Sequence, residues 1–258
     1  MKILRYQSET GSRYGLLRDR TVIPMIGSPF ESFELCEKEA IPMDGVRLLC
    51  PVQPSKLLAI GFNYRDHAKE LRREIPTEPN VFQKPLSCLL GPDEAILLPC
   101  SMTKRVEYEG ELVTVIGKRA RHVAPEDALR YVFGYTCGND VSARDLQSPT
   151  NQWTICKGFD TFGPIGPWIE TDVDPRDLNI ETRVNGELKQ HSNTRELIFS
   201  VAQIVSYLSE CMTLEPGDVI FTGTPYGVGS LKEGDTVEVT IQGIGTLCNT
   251  VKKETVQA

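Results

Sequence analysis

Two glutamates stand two residues apart in a segment that otherwise has the composition of a β-strand. Glu109 and Glu111 fall in the stretch 108–117, where Val113 and Val115 continue the same alternation. Successive side chains of a strand point to opposite faces, so the two carboxylates would project from one face. Like charges on a packed face are unfavourable unless a hard cation such as Mg²⁺ or Mn²⁺ neutralises them. The pair therefore predicts a metal site, and the alternative is a solvated edge strand whose charges meet only water.

A third acidic residue follows another apolar segment. Asp140 comes at the point where a strand beginning near Val132 would end, and polar residues at strand ends commonly face ligands. Together with Glu109 and Glu111 it would supply three oxygen ligands to an octahedral ion and leave the other positions to water or substrate. These three residues are our candidate ligands for Mg²⁺ or Mn²⁺.

His67 and Glu70 are three residues apart in a charged segment that is compatible with a helix. On a helix they would share a face, and Glu70 could then hold the His67 imidazole in one tautomer and make it a better base for activating water. We take both as candidate catalytic residues. The alternative is an exposed helix on which the two form a weak surface pair.

Basic residues also occur in or near these segments. Lys84 ends a predicted strand, Arg144 follows Asp140 by four residues, and Lys157 lies in a predicted loop. Each alone would be an ordinary surface cation. Three carboxylates and one divalent ion, however, would leave the site negatively charged, so an anionic substrate would need a further cation to enter. We predict a catalytic role for Lys157 and substrate binding for Lys84, Arg144 and Gln147.

The glycine-rich stretch 221–229 follows a predicted strand. It lacks the Gly-Lys-Ser/Thr ending of a phosphate-binding loop, and no helix pattern follows, which argues against a nucleotide site. Its backbone N–H groups and the Thr224 hydroxyl could instead bind a carboxylate, so Thr224 is a further candidate for substrate binding. A plain tight turn is the alternative.

Strand and turn patterns dominate the elements that must position these residues. Strands are predicted at 56–60, 111–118, 132–137, 180–184, 218–222 and 236–241, with a hairpin turn at Asn185-Gly186. A helix is predicted at 195–210 from its apolar stripe, and a shorter one after Pro125. We expect a small N-terminal β-rich module at 1–52 and a main domain at 53–258. This mixture predicts an α+β, mostly β fold with a rolled sheet in mixed orientation.

Length, charge and cysteine usage exclude several classes of protein. The chain has 258 residues, enough to bury a substantial core. Its net charge of −7 and lack of a long basic run argue against nucleic acid as a partner. We find no signal-peptide pattern or membrane-spanning segment and expect a cytoplasmic protein with no membrane contact. The eight cysteines show neither C-x-x-C nor zinc-ligand spacing and are expected to be reduced thiols.

Several segments, in this order, resemble the signature blocks of the fumarylacetoacetate hydrolase family. The blocks are Gly61-Phe62-Asn63-Tyr64 with His67 and Glu70, Lys84-Pro85, Tyr108-Glu109-Gly110-Glu111-Leu112 with Ile116-Gly117-Lys118, Asn139-Asp140-Val141-Ser142-Ala143-Arg144-Asp145-Leu146-Gln147, Lys157-Gly158-Phe159-Asp160, and Gly223-Thr224-Pro225-Tyr226-Gly227-Val228-Gly229. The resemblance extends from about residue 55 to residue 250.

The resemblance implies a mixed β-sandwich roll, usually a homodimer, with Mg²⁺ or Mn²⁺ held by the carboxylates that match Glu109, Glu111 and Asp140. It also implies that the His67–Glu70 segment is a lid over the substrate and that Lys157 helps to bind a 2-oxo acid. True fumarylacetoacetate hydrolases carry a fourth acidic ligand, and the similar position here is Asn63. This difference points to the smaller acylpyruvase, oxaloacetate decarboxylase and 2-hydroxyhepta-2,4-diene-1,7-dioate isomerase-type members.

The reactions of these enzymes share an enolate. A 2-oxo acid that chelates the ion has its enolate charge neutralised, which lowers the barrier to breaking a C–C bond or moving a proton. We therefore expect a divalent-metal-dependent hydrolase or lyase of small anionic 2-oxo (di)carboxylic acids, acting by C–C hydrolysis or decarboxylation. Isomerisation of 5-carboxymethyl-2-hydroxymuconate or 2-hydroxyhepta-2,4-diene-1,7-dioate is one alternative. A non-catalytic β-roll binding module is the alternative of another class.

Overall fold

The computed structural model of the protein describes residues 1–66, 74–148 and 152–255. Its strands are β1 Lys2–Ser8, β2 Gly11–Arg18, β3 Thr21–Gly27, β4 Phe33–Leu35, β5 Ile41–Pro42, β6 Leu48–Leu49, β7 Leu57–Gly61, β8 Asn80–Lys84, β9 Leu89–Leu90, β10 Ala95–Leu98, β11 Val106–Tyr108, β12 Gly110–Ile116, β13 Val132–Asn139, β14 Ser142–Ala143, β15 Gly163–Glu170, β16 Asn179–Val184, β17 Glu187–Asn193, β18 Val219–Phe221, β19 Gly229–Ser230, β20 Thr236–Ile241 and β21 Gly245–Lys253. The α-helices in this part of the chain are α1 Thr154–Lys157 and α2 Val201–Cys211, and 3₁₀ helices span Glu37–Glu39, Leu86–Cys88, Ala128–Tyr131, Arg144–Leu146 and Thr194–Glu196.

Most of these strands form one large mixed sheet. Its order is β4-β3-β2-β1-β15-β13-β12-β18-β7-β8, and the neighbours are antiparallel except for the parallel pair β18 and β7. Every residue of the central strand β12 is buried. A strand that is buried along its whole length must be covered on both faces, which accounts for the neighbouring apolar residues Leu112 and Val113, and Val115 and Ile116, whose side chains point to opposite faces.

A second sheet packs against this one. Its order is β10-β21-β20-β16-β17. Apolar side chains from both sheets and from α2 form a common core that includes Leu112, Cys137, Ile180, Val205 and Val239. Facing sheets with a shared apolar layer constitute a β-sandwich. The predicted mostly β, mixed sandwich is therefore confirmed.

The N-terminal strands extend the large sheet instead of standing apart from it. Strand β1 pairs with β15, with Ile3 opposite Ile169. Ile3 and its neighbour Leu4 belong to two separate apolar clusters. Since adjacent residues of a strand point to opposite faces, both faces of this small N-terminal domain are covered. The strands that carry the candidate site are thus continuous with the N-terminal strands.

Helix α2 begins several residues later than the predicted helix at 195–210. Ser200 Oγ accepts a hydrogen bond from the Gln203 backbone N–H, and the Gln203 side chain accepts one from the Ser200 backbone N–H. This capping box sets the first turn of the helix. Upstream of it, Leu197 forms a β-bridge with Tyr64. Tertiary pairing near the site therefore replaces the first predicted turns.

The other sequence predictions are met with small shifts. Each of the six predicted strands corresponds to an observed one, namely β7, β12, β13, β16, β18 and β20. Asn185 and Gly186 form the predicted hairpin turn, with φ of 53° and 78°. The predicted helix after Pro125 is the short 3₁₀ helix Ala128–Tyr131. Glu109 lies in the break between β11 and β12, so the two glutamates do not share one uninterrupted strand.

The helices and the cysteines bear on two expectations drawn from the sequence. Among the described residues, none of the helices combines the length and apolarity that a bilayer crossing requires. All eight cysteines are free thiols, as predicted.

Candidate active site

The candidate metal ligands converge at the ends of two neighbouring strands. Glu109 precedes β12, Glu111 is its second residue, and Asp140 follows β13. The antiparallel register pairs Gly110 with Asn139, and the Asp140 backbone N–H donates to the Glu109 carbonyl oxygen over 2.8 Å. One carboxylate oxygen from each of the three acidic residues lies within 4.8 Å of the others. Strand register, together with the strand break at Glu109, brings the three side chains together.

The chemistry of this oxygen set fits a hard divalent cation. Glu109, Glu111 and Asp140 are only 5, 2 and 1% exposed. Burial raises the pKa of Glu111 well above its usual range, and the charges of Asp140 and Glu109 raise it further. Within the described chain, one hydrogen-bond donor reaches the Glu111 carboxylate, the Gly223 backbone N–H at 2.7 Å. A buried carboxylate with as little compensation as Glu111, next to two further carboxylates, is a suitable ligand for Mg²⁺ or Mn²⁺.

Lys157 stands between two of these carboxylates. Its Nζ donates to Glu109 Oε2 over 2.7 Å and to Asp140 Oδ2 over 2.5 Å. Burial alone would lower the pKa of Lys157, but the charges of Asp140 and Glu109 outweigh it and raise the pKa. Burial likewise favours a high pKa for Glu109, yet Lys157 and Arg144 hold it below the usual range. Both partners are therefore ionised, and Lys157 keeps a positive charge beside the candidate metal ligands.

Lys84 lies behind Asp140 rather than in the cavity. It is fully buried, its Nζ donates to Asp140 Oδ1 over 2.7 Å, and it also donates to the carbonyl oxygen of Lys157. Lys84 does not line the cavity beside the carboxylates. Its position differs from the predicted substrate contact because strand β8 directs it to the rear of Asp140. Its role here is to orient Asp140 and the end of α1.

Arg144 joins the candidate metal ligands to a further buried carboxylate, Glu107. Its Nε donates to Glu107 Oε2 over 2.6 Å, its Nη1 to Gln147 Oε1 over 2.5 Å, and its Nη2 to Glu109 Oε1. Arg105 holds the other oxygen of Glu107 at 2.6 Å. Arg144 and Gln147 line the cavity. This location is compatible with the substrate contact predicted for them, which stays a prediction. Sequence reasoning missed Glu107, although the alternation of residues 107, 109 and 111 could have revealed it.

Thr224 lines the cavity, but its hydroxyl is engaged within the protein. The hydroxyl donates to the Gly110 carbonyl oxygen over 3.0 Å and accepts from Gln190 Nε2 over 2.9 Å. The predicted donation of this proton to a substrate carboxylate is therefore not the arrangement observed. The hydroxyl instead ties the turn to strand β12.

Gly223 and Asn63 shape the same turn. Gly223 has φ of +108°, and a Cβ at this position would lie 2.8 Å from Asn63 Cβ. In the part of the chain that the structure describes, the Asn63 side chain bonds backbone groups only: Oδ1 accepts from Phe199 N–H over 2.8 Å, and Nδ2 donates to the Thr222 and Phe199 carbonyl oxygens over 2.8 and 3.0 Å. The position that resembles a fourth acidic ligand thus holds a structural amide.

Three aromatic side chains form an apolar wall next to the charged groups. The Trp153 ring centroid lies 5.3 Å from that of Phe62 and 5.1 Å from that of Phe82. Between this wall and the carboxylates, the described residues leave a cavity of only about 20 Å³. The sequence analysis did not single out these aromatic residues, because a lone aromatic residue has no spacing that distinguishes a cavity wall from a core.

The predicted catalytic pair, His67 and Glu70, lies outside the described residues, so its geometry stays a prediction. The other histidines are exposed and pair with surface glutamates. His122 lies 2.9 Å from Glu210, and His191 lies 3.4 Å from Glu181. Neither histidine lines the cavity that the described residues form.

Comparison with known families identifies the class of protein that this fold and site define. Residues 56–252 match the model of the fumarylacetoacetate (FAA) hydrolase C-terminal domain, and residues 1–51 match the Rv2993c-like N-terminal model. The first match covers most of the chain, and the chain therefore belongs to the fumarylacetoacetate hydrolase family. The resemblance recognised in the sequence blocks is confirmed.

Individual relatives carry different activities in their names. Oxaloacetate tautomerase Fahd2a, mitochondrial, of Rattus norvegicus is 41% identical over 223 residues, which cover 82% of this chain and 71% of the relative. The crystal structure of a 5-carboxymethyl-2-hydroxymuconate delta-isomerase from Mycobacterium smegmatis has a TM-score of 0.92 and 41% identity, covering 98% of this chain and all of that one. Maleylpyruvate hydrolase from Sphingobium sp. SYK-6, crystallised with manganese and pyruvate, has a TM-score of 0.82 and 30% identity, covering 99 and 100% of the two chains.

Proposed function

We propose that the protein is a divalent-metal-dependent enzyme that shifts a proton on small 2-oxo dicarboxylic acids, interconverting keto and enol forms or double-bond isomers. The observation that carries this proposal is the balance of charges in the site. Beside the three carboxylates of Glu109, Glu111 and Asp140 lie three cationic side chains, Lys84, Lys157 and Arg144, which pair with Glu109 and Asp140.

A divalent cation added to this balanced set would leave an excess of positive charge that matches a dianion. Both carboxyl groups of a 2-oxo dicarboxylic acid are ionised near neutral pH, whereas an acylpyruvate without a second carboxyl group, such as acetylpyruvate, carries a single negative charge. Because the site is buried, an unmatched charge there would be costly. The local electrostatics therefore favour the dicarboxylate over the monoanion.

The reaction class is supported by the names of the relatives. The tautomerase and the isomerase, each 41% identical to this chain, are named for moving a proton or a double bond. Tautomerisation needs no water as a reactant: one proton is gained at C3 and one is lost from the enol oxygen, or the reverse. The aromatic wall of Phe62, Phe82 and Trp153 would exclude water and so favour this outcome over hydrolysis.

The described residues have separate parts in this proposal. One carboxylate oxygen from each of Glu109, Glu111 and Asp140 would hold Mg²⁺ or Mn²⁺. The ion would supply positive charge that lowers the free energy of an enolate. Arg144 and Lys157 would bind and orient the substrate carboxylates. In this proposal His67, with Glu70, would transfer the proton at C3 instead of activating water, the task predicted from the sequence.

The test measures the conversion of the enol form to the keto form. Enol oxaloacetate is diluted into buffer, and the loss of enol absorbance is recorded with Mn²⁺, with EDTA, and without protein. We expect a protein-dependent rate with Mn²⁺ that EDTA abolishes, because chelation removes the divalent cation. Pyruvate is measured in the same samples. The proposal would be contradicted if the rate of enol loss equalled that of the protein-free control, or if EDTA left the protein-dependent rate unchanged.

Two variants sharpen the test. Glu111→Gln removes a candidate ligand without changing its shape and is expected to abolish the Mn²⁺-dependent rate. Glu126→Gln makes the same chemical change on the exposed surface and is expected to leave the rate unaltered. Acetylpyruvate, a monoanion, serves as the comparison substrate for the charge argument.

The second candidate function is C–C hydrolysis or decarboxylation, which the similarity to the maleylpyruvate hydrolase supports. Pyruvate that appears, in a protein-dependent manner, at the same rate as the enol is lost would favour it. Absence of turnover of both oxaloacetate and acetylpyruvate would favour a non-catalytic binding module. We also keep the homodimer and the cytoplasmic location as proposals, and light scattering at several protein concentrations tests the first of them.

A further inference from the structure

Gln190, a residue of the second sheet, reaches the candidate metal site through its side-chain amide. It lies on β17 and is completely buried. Its Oε1 accepts a hydrogen bond from the Gly110 backbone N–H over 2.9 Å, and its Nε2 donates to Thr224 Oγ1 and to the Pro225 carbonyl oxygen, both over 2.9 Å. The amide thus bonds a strand of the large sheet and the cavity-lining turn simultaneously.

These bonds form a closed ring around Gly110. The Gly110 N–H donates to Gln190, Gln190 donates to Thr224, and the Thr224 hydroxyl donates to the Gly110 carbonyl oxygen. The Gly110 N–H belongs to the peptide bond with Glu109, and its carbonyl belongs to the peptide bond with Glu111. Both peptide planes between the two glutamates are therefore held by this ring.

Close packing at Gly110 restricts movement of the hydrogen-bonded ring. A side chain on Gly110 would collide with the Thr182 hydroxyl of β16, and its Cβ would lie 3.3 Å from Gln190 Oε1. The strand therefore approaches the second sheet as closely as a glycine permits. Small changes in this contact would move both glutamates, because their backbones are covalently joined to Gly110.

We propose that Gln190 is a positioning residue that sets the spacing of the Glu109 and Glu111 carboxylates for the divalent cation and holds the Thr224 turn beside them. The proposal rests on the proposed function only in that these carboxylates bind the cation. A glutamine suits the task because one amide supplies an acceptor and a donor at the same time, which a carboxylate or an apolar side chain does not. Residues that orient metal ligands from outside typically change metal affinity by about 10 to 100-fold when removed.

The experiment measures Mn²⁺ binding to the full-length, substrate-free protein, by calorimetry or by the EPR signal of free Mn²⁺. We expect Gln190→Leu to raise the Mn²⁺ dissociation constant at least about tenfold. Thr224→Val breaks the same ring from its other side and should weaken Mn²⁺ binding in the same direction. If Gln190→Leu does not fold, Thr224→Val carries the test alone.

Asn249→Leu is the matched control. Asn249 is also a buried amide of the second sheet, and its Nδ2 donates to the Gly91 and Glu94 carbonyl oxygens over 2.9 and 3.0 Å, away from the site. We expect it to lower the melting temperature about as much as Gln190→Leu while leaving the Mn²⁺ dissociation constant unchanged. This separates positioning of the ligands from general stabilisation of the sheet.

The possible failures are distinguishable. Absence of Mn²⁺ binding by the wild-type protein would overturn the metal site and with it the proposed function. Wild-type binding that Gln190→Leu and Thr224→Val both leave unchanged would overturn the role of Gln190 and leave the metal site standing. An equal loss of affinity in Asn249→Leu would assign the effect to stability alone and would also overturn this role.

Discussion

Two buried carboxylates of the large sheet region, Asp218 and Glu111, are held in opposite ways. Asp218 is fully buried and accepts hydrogen bonds from five donors, namely the Ser55 and Lys56 backbone N–H groups, the Ser55 hydroxyl, the Lys56 ammonium group and the Glu215 backbone N–H. Glu111 is 2% exposed and receives one hydrogen bond among the described residues, from Gly223, while two other carboxylates lie beside it.

This difference distinguishes a structural carboxylate, Asp218, from a candidate metal ligand, Glu111. A buried charge is tolerated when hydrogen bonds and an opposite charge compensate it, as at Asp218, where it joins the starts of β7 and β18. The Glu111 carboxylate lacks that compensation, and buried groups in this condition are typical of functional sites. Burial by itself therefore does not identify a site, but burial without compensation does.

The largest expected effect is on stability at Asp218. Asp218→Ala leaves Lys56 and three backbone N–H groups without their partner, and we expect it to lower the free energy of unfolding by about 3–5 kcal/mol. Urea denaturation measures this. Any fraction that folds should bind Mn²⁺ with wild-type affinity. A loss below about 1 kcal/mol would contradict the structural role, because such a value is typical of an exposed pair.

The opposite result is expected at Glu111. Glu111→Gln removes one of three anionic ligands and should weaken Mn²⁺ binding by at least about 100-fold, equivalent to about 2.7 kcal/mol. The metal-free protein should be as stable as the wild type or more so, since repulsion with Asp140 and Glu109 is relieved. Calorimetry with Mn²⁺ and urea denaturation in EDTA measure the two effects. A clear loss of stability in EDTA would place Glu111 in the same class as Asp218.

Among the described residues Gly223 supplies the one donor to Glu111, so its conformation bears on the same comparison. Gly223→Ala forces an alanine into φ of +108° and brings its Cβ to 2.8 Å from Asn63 Cβ. We expect a loss of about 1–3 kcal/mol in the free energy of unfolding, together with weaker Mn²⁺ binding. Gly234→Ala is the control, because it has a similar φ of +89° and open space around its Cβ. Equal effects in both variants would show that φ alone matters.

Glu107 is the intermediate case, a buried carboxylate compensated by two arginines, and it has the smallest expected effect. Glu107→Gln should loosen Arg144 without removing a metal ligand. We expect the KM for a 2-oxo dicarboxylate to rise about tenfold, or about 1.4 kcal/mol, with little change in Mn²⁺ affinity. Steady-state kinetics at saturating Mn²⁺ checks this. A fall in Mn²⁺ affinity as large as that of Glu111→Gln would make Glu107 part of the metal site itself.

Much of the candidate site could be predicted because its signals are local. The spacing of Glu109 and Glu111 and the position of Asp140 after an apolar segment follow from strand periodicity, which acts over a few residues. The break of the strand at Glu109 and the late start of α2 could not be predicted in this way. Both depend on pairing with residues distant in sequence, such as the β-bridge between Leu197 and Tyr64.

The roles of the cations show the limit most clearly. Lys84 and Lys157 each end an element of the structure, yet Lys84 lies behind Asp140 and Lys157 lies between the carboxylates. The Thr224 hydroxyl likewise could not be assigned in advance, because its partner Gln190 is 34 residues away. Sequence analysis indicated which groups were chemically able to act, but not which way each one faces.

The amino-acid sequence by itself determined the family, the mostly β architecture and the three acidic residues that converge, because residue type and short-range periodicity encode these features. The tertiary structure alone decided how the charges are paired, which amides hold the turn and which cations face the cavity. The physical reason is distance along the chain: the bond from Gly110 to Gln190 joins residues 80 positions apart. Such a contact exists only once the two sheets have packed together, and no local pattern contains it.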